Sequence, residues 1–232
     1  MRRQLTSVAG FMGNAGHGWI KVDVEHGSIN VCQPPDQFRA FALDSTLSLV
    51  RLAGGHKTDC KEAVDAGAGS VVVPMVESAE QLIAVRSATH RPLEGIGNVG
   101  FSRANLFGKR FGAYIDEAPA PLLIAVIEHV RAVEQLEALI AIDVLDAILI
   151  GPYNVSGSTE LTAQFHPPEF MAAMDRVRET CERRGMPCGA HVVMVDPVVF
   201  QQRVDEGHRF IAYSIDSVFP HASADHPCVS AP

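Results

Sequence analysis

Chemistry-bearing side chains in this sequence gather at the ends of short apolar runs. Asp23, Glu25 and His26 finish the run that starts at Trp19, Arg51 nearly finishes Leu47–Leu52, Glu128 closes Leu122–Glu128, and Tyr153 and Asn154 follow Asp146–Pro152. A histidine beside carboxylates moves protons near neutral pH. An arginine at a strand end binds anions. Glu128, an acid closing an apolar strand, reads as a ligand rather than a solvated helix opener. Asn154 reads equally as a weak oxygen ligand or as a turn residue capping the next segment. Lys21 shares a strand face with Asp23 and Glu25 by period-two alternation. Imine chemistry is open to such a lysine, but an ion pair with either acid is the plainer expectation. His191 lies in a late strand and is expected to face inward; the remaining histidines show no ligand spacing.

Those groups need a scaffold that brings distant strand ends together. Seven near-continuous apolar runs recur: 19–26, 47–52, 70–76, 122–128, 146–152, 187–193 and 210–216. Continuous rather than alternating apolarity marks parallel strands covered on both faces. Helical signals lie between them. Ser78 with Gln81 reads as a capping box. Pro168 opens a helix whose stripe is Met171, Met174, Val177 and Cys181, with Gly185 as its stop. Asp196-Pro197 opens another that ends near Gly207. Alternating strands and helices predict a TIM-type (β/α) barrel, with active residues at the C-terminal strand ends. Residues 1–18 hold either a weak strand near 5–11 or none, and the second reading, a barrel incomplete at its N-terminal edge, is preferred. The expected division is a lead-in over 1–18, a barrel over 19–219 without a final helix, and a disordered tail over 220–232. Residues 94–121 are expected to form a long irregular loop of functional type.

Composition narrows the partners. The chain has 232 residues, 47% hydrophobic and 20% charged, with a formal charge of −8 at pH 7. That supports one large buried core and disfavours nucleic acid and anionic membrane as general partners. Five cysteines without a C-x-x-C pair argue against a disulfide framework or a thiolate zinc site and fit a cytoplasmic setting. No run approaches the ~20 apolar residues of a membrane span. The glycines at 95, 97 and 100 do not lie between a strand and a helix as a dinucleotide fingerprint requires.

Five motifs occur in order between about Gly16 and Phe219: Val22-Asp23-Val24-Glu25-His26-Gly27, Val72-Val73-Pro74-Met75-Val76, Glu94-Gly95-Ile96 with Val99-Gly100, Ile127-Glu128, and Ile150-Gly151-Pro152-Tyr153-Asn154-Val155-Ser156. Together they resemble the HpcH/HpaI aldolase and citrate lyase family. The resemblance implies a class II aldolase: reversible, metal-dependent cleavage of a 4-hydroxy-2-oxo acid to pyruvate and an aldehyde through an enolate. It implies a divalent cation (Mg2+, Mn2+ or Co2+) held by Glu128 and the residue at Asn154. His26 would be paired with Asp23 for proton transfer, Arg51 would lie on the enolate oxygen, and backbone amides around Gly151, Pro152 and Tyr153 would receive the carboxylate. A homo-oligomer is also implied. The sequence departs from the family pattern at Asn154 (commonly aspartate), Val126 (glutamine), Gly97 (arginine) and His56 (aspartate). Those losses carry an alternative, a barrel that has lost catalysis and serves as a binding or scaffold protein.

Overall fold

The computed structural model describes residues 2–26, 34–42, 46–90, 100–116, 120–159 and 162–224. Its strands are β1 (Trp19–Asp23), β2 (Leu47–Arg51), β3 (Ser70–Val73), β4 (Leu122–Ile127), β5 (Ala147–Ile150), β6 (Cys188–Val192) and β7 (Phe210–Tyr213). All pair parallel, in chain order, as one seven-stranded sheet curled into a half-barrel.

The run-like apolarity has the expected cause. Every residue of β3 and β5 is buried, because alternate side chains feed two separate cores. Val22, Val50, Val71, Val73, Ala125, Ile127 and Ile148 pack outward beneath the helices. Leu49, Val72, Ile124, Val126, Ala147 and Leu149 fill the concave side with Trp19 and Phe210. Burying a Leu, Val or Ile side chain is worth roughly 1.5–3 kcal/mol, so both faces contribute to holding the sheet. Trp19 and Phe210 meet with ring centroids 4.5 Å apart, joining β1 and β7 at the floor of the concavity. By alternation, Lys21 and Asp23 rise from that floor on the same face as Trp19.

The helix-end signals read from sequence hold, although Met171 of the expected stripe is exposed. Ser78 Oγ accepts the Gln81 N–H at 3.3 Å and opens Ala79–Thr89, while the Gln81 side chain turns back to the Glu77 N–H. Pro168–Arg184 starts on proline and ends at Gly185, whose φ of +68° is the left-handed cap. Asp196 caps Pro197–Asp205 through the Val198 and Val199 amides.

Residues 5–11 lie in a helix, Arg2–Asn14, so of the two readings of the N-terminal edge the preferred one, without a strand, stands. Two other readings change. A short helix, Val218–Ser223, follows β7 where none was expected; residues 225–232 lie outside the described ones. The segment 94–121 is irregular only in part, since it holds a 3-10 turn at Arg103–Asn105 and a helix at Phe111–Asp116. Its motif residues Glu94, Gly95, Ile96, Gly97 and Val99 lie outside the described residues, as does Gly27. Among the described residues no helix is long and apolar enough to cross a membrane.

Candidate active site

Asp23 and Arg51 are register partners at the ends of β1 and β2. From there one guanidinium gathers three acids, two from the end of β1 and one from the end of β4. Arg51, 8% exposed, places Nη2 at 2.7 Å from Glu128 Oε1 and 2.6 Å from Glu25 Oε2, with Nη1 at 3.5 Å from Asp23 Oδ2. Glu128 is 3% exposed, and a carboxylate so buried persists only when its oxygens find donors. Oε1 also accepts from Asn154 Nδ2 at 2.9 Å, and Oε2 accepts the Met75 backbone N–H at 3.1 Å. Glu128 and Asn154, far apart in the chain, therefore meet at one mouth.

Two backbone features make room for this. Met75, just past β3, holds φ at +47°, a strained conformation for a residue with a side chain, and thereby aims its amide at Glu128. At Gly151 a Cβ atom would lie 2.7 Å from Glu128 Cγ, so only glycine lets the β5 exit pass the acid.

Several expected roles shift. Asp23 does not hold the His26 ring. Its Oδ1 accepts the backbone amides of Glu25 and His26 at 3.0 Å each, closing the turn after β1. The His26 side chain is 64% exposed, and its Nε2 lies 3.7 Å from Glu25 Oε2. Its acidic neighbour is therefore Glu25, because a short tight turn spends Asp23 on main chain. The backbone cradle is also smaller than expected. Gly151 N–H donates to Ile127 O at 2.9 Å and Pro152 has no N–H, which leaves the helix-start amides of Tyr153 and Asn154. Lys21 forms no ion pair with Asp23 or Glu25 among the described residues, since Arg51 takes both.

The proton affinities follow from these contacts. Burial works to raise the Asp23 carboxyl, but the His26 amide, Arg51 and Lys21 outweigh it and hold it below the usual range. Burial pushes Glu25 up, against the pull of Arg51. Burial lowers Lys21 despite Asp23 nearby. His191, whose Nε2 lies 3.3 Å from Ser214 O, is lowered by burial and then by the Lys21 charge.

Sequence reasoning named Glu25 at the strand end without assigning it a role, and missed the Met75 amide. Alternation with Lys21 and Asp23 pointed to Glu25; nothing in sequence marks an amide turned by a positive φ. Of the departures from the family pattern, Val126 is an apolar member of the concave core, and His56 precedes the helix Lys57–Ala66 without a side-chain cap bond.

The mouth has donors for a cation. Among the described residues no three acidic, imidazole or thiol groups are arranged so that together they could hold a metal ion. Glu128 and Asn154 supply two adjacent oxygen-bearing groups, and rotating the Asn154 amide would turn its oxygen inward. Glu25 Oε2 is buried without a hydrogen-bond partner, its Arg51 contact being close but misaligned. A hard cation with one or two protein ligands, completed by water and substrate, suits this donor set. Asn154 itself brings no formal charge to it.

Residues 5–220 match the family model described as HpcH/HpaI aldolase/citrate lyase. A 4-hydroxy-2-oxovalerate aldolase of Novosphingobium aromaticivorans is 34% identical over 90% of this chain and 80% of its own. A hydroxypyruvate/pyruvate aldolase of Roseobacter denitrificans is 30% identical over 90% of this chain and 81% of its own. Among solved structures, an HpcH/HpaI aldolase/citrate lyase family protein of Burkholderia cenocepacia superposes with a TM-score of 0.88 at 25% identity, covering 94% of this chain and 87% of that one.

Proposed function

The chain belongs to the HpcH/HpaI aldolase/citrate lyase family, and from that premise we propose that it is an aldehyde-lyase cleaving a 4-hydroxy-2-oxo acid to pyruvate and an aldehyde. Its relatives are named as aldolases, and no support for the scaffold alternative comes from them. The carrying observation is the buried Glu128 carboxylate joined at one mouth to Arg51 and Asn154.

The residues divide the work as follows. The substrate carboxylate meets the helix-start amides of Tyr153 and Asn154. The 4-hydroxyl proton leaves to His26, whose ring faces Glu25. As the C3–C4 bond breaks, its electrons form the enolate of pyruvate and the aldehyde departs. Charge developing on the enolate oxygen is met by the Arg51 guanidinium, a donor held in place before the reaction by its acid partners. Proton return to C3 completes pyruvate. Glu25, whose proton affinity burial raises, lies beside His26 during that return. A divalent cation (Mg2+, Mn2+ or Co2+) would be held by Glu128 and Asn154 and would polarise the 2-oxo group.

The free thiols of Cys60, Cys181 and Cys188 support a reducing, cytoplasmic setting. Exposed Phe11, Phe101 and Phe107 support a homo-oligomer, which sedimentation would read. The function itself is tested by pyruvate release from 4-hydroxy-2-oxo acids of several chain lengths with each cation and with chelator. Release from at least one acid is expected; none above background under any condition refutes the reading.

A further inference from the structure

Large apolar side chains stand exposed where the strands leave the mouth: Met75 after β3, Tyr153 after β5, Met194 and Val195 after β6, and Ile215 after β7. Printed contacts tie these exits to the site and to one another. The Met75 amide is 3.1 Å from Glu128 Oε2, and Tyr153 adjoins Asn154, whose Nδ2 is 2.9 Å from Glu128 Oε1. Phe165 meets the Tyr153 ring edge-on at 4.9 Å and extends the apolar surface. The exits of β6 and β7 are joined by the Ser214 N–H, which donates to Val192 O at 2.7 Å. β5 and β6 are neighbours in the sheet, about 4.8 Å apart, so this surface continues from the amides of Tyr153 and Asn154. Single exposed apolar residues are ordinary, whereas a series on adjacent strand exits beside a site marks a binding surface. Charge agrees. Segments 151–158, 193–197 and 214–218 hold no lysine or arginine, and their acids are Asp196 and Asp216. Nearby cations are engaged or lie deeper: Arg51 by three acids, Arg131 by Glu77 at 3.2 Å, and Lys21 one step below Asp23 on β1.

We infer that the aldehyde half of the substrate is a hydrocarbon chain, bound over the exits of β5, β6 and β7, and that Met194 is a specificity-determining residue. The inference rests on the reading that this cleft cleaves 4-hydroxy-2-oxo acids, and it names which of them the cleft takes. With the substrate carboxylate on the amides of Tyr153 and Asn154, a tail on C4 leaves water as it crosses this rim. Each methylene so covered should raise kcat/KM about 2–4-fold. A tail ending in a carboxylate finds no unengaged lysine or arginine at these exits among the described residues, and it shares the β7 exit with Asp216. Its lost hydration therefore goes uncompensated.

The test measures pyruvate release by the full chain, with Mg2+, Mn2+ or Co2+ supplied, from 4-hydroxy-2-oxo acids whose C4 carries methyl, propyl, pentyl or carboxyethyl. From methyl to pentyl, kcat/KM should climb at least about tenfold, and carboxyethyl should fall below propyl, its match in chain length. Met194 is 64% exposed, so substitution there spares the core. Met194→Lys should narrow the propyl-to-carboxyethyl ratio about 2–5-fold with the methyl-tailed acid unchanged, and Met194→Leu should keep the wild-type order. Equal rates along the series, or fastest release from the carboxyethyl acid, overturn the inference and leave the aldolase. A Met194→Lys variant with the wild-type ratio overturns it as well; altered sedimentation of that variant would then assign the rim to a second copy of the chain. No release from any of these acids sinks the aldolase reading and this inference with it.

Discussion

Replacing Asn154 by aspartate puts a second carboxylate beside Glu128, and the geometry there sets what that costs and yields. Asn154 Nδ2 lies 2.9 Å from Glu128 Oε1, so the variant exchanges a donated hydrogen bond for a second carboxylate facing a buried one. Two like charges at ~4 Å repel by about 4 kcal/mol at an effective dielectric near 20. Residue 154 is exposed, which screens this to roughly 1–2 kcal/mol. The lost hydrogen bond to a charged group adds about 1.5 kcal/mol. The metal-free variant should therefore be less stable by roughly 3 kcal/mol, or about 6–12 °C for a chain of this size. Repulsion raises the proton affinity of the pair above its unfolded value, so the deficit is full near pH 7 and shrinks as pH falls through the carboxylate range. With a dication bound, both charges become attractive, and affinity should rise on the order of 100-fold, about 2.7 kcal/mol. Melting curves with chelator and with Mn2+ at pH 7 and pH 5, together with Mn2+ titration calorimetry, measure all three effects. A metal-free variant as stable as the wild type, combined with unchanged Mn2+ affinity, would refute the reasoning that Asn154 and Glu128 form one cation site.

Other perturbations probe the same network. Arg51→Met leaves Glu25 and Glu128 without their shared cation and should cost about 3 kcal/mol in urea denaturation at pH 7; the loss should diminish toward pH 5 as one acid takes up a proton. Gly151→Ala drives a methyl group into Glu128, with an expected cost of roughly 1–3 kcal/mol and loss of pyruvate release in a coupled assay. Asp23, held low in the fold, contributes stability that is full above its unfolded pKa and is lost as pH falls through the depressed folded value. Asp23→Asn should accordingly flatten the stability profile below about pH 4, as read by denaturation midpoints. His191, also depressed, binds its proton less readily folded than unfolded, so wild-type stability falls as pH drops below about 6.5; His191→Leu should lose less stability between pH 7.5 and 5.5.

The strands and most residues of the mouth could be read from the chain alone. A residue buried on both faces must be apolar whichever way it points, so β3 and β5 read as unbroken Val, Ile, Leu and Ala runs, and the polar residues that end such runs stand out. Strand-end position therefore revealed Asp23, Arg51, Glu128 and Asn154, and serine with glutamine, glycine, and aspartate with proline at fixed offsets revealed the helix ends at Ser78, Gly185 and Asp196, because capping is a local hydrogen-bond requirement. The helix Arg2–Asn14 was missed because an amphipathic stretch without a strong cap carries a weak local signal. Who bonds with whom was left to tertiary structure. One guanidinium reaching three acids took Asp23 and Glu25 away from Lys21, and a tight turn took Asp23 away from the His26 ring. The positive φ of Met75 and the close pass of Gly151 were likewise set by packing around Glu128. Donors compete for a buried carboxylate by distance and angle in space, and neither is written along the chain.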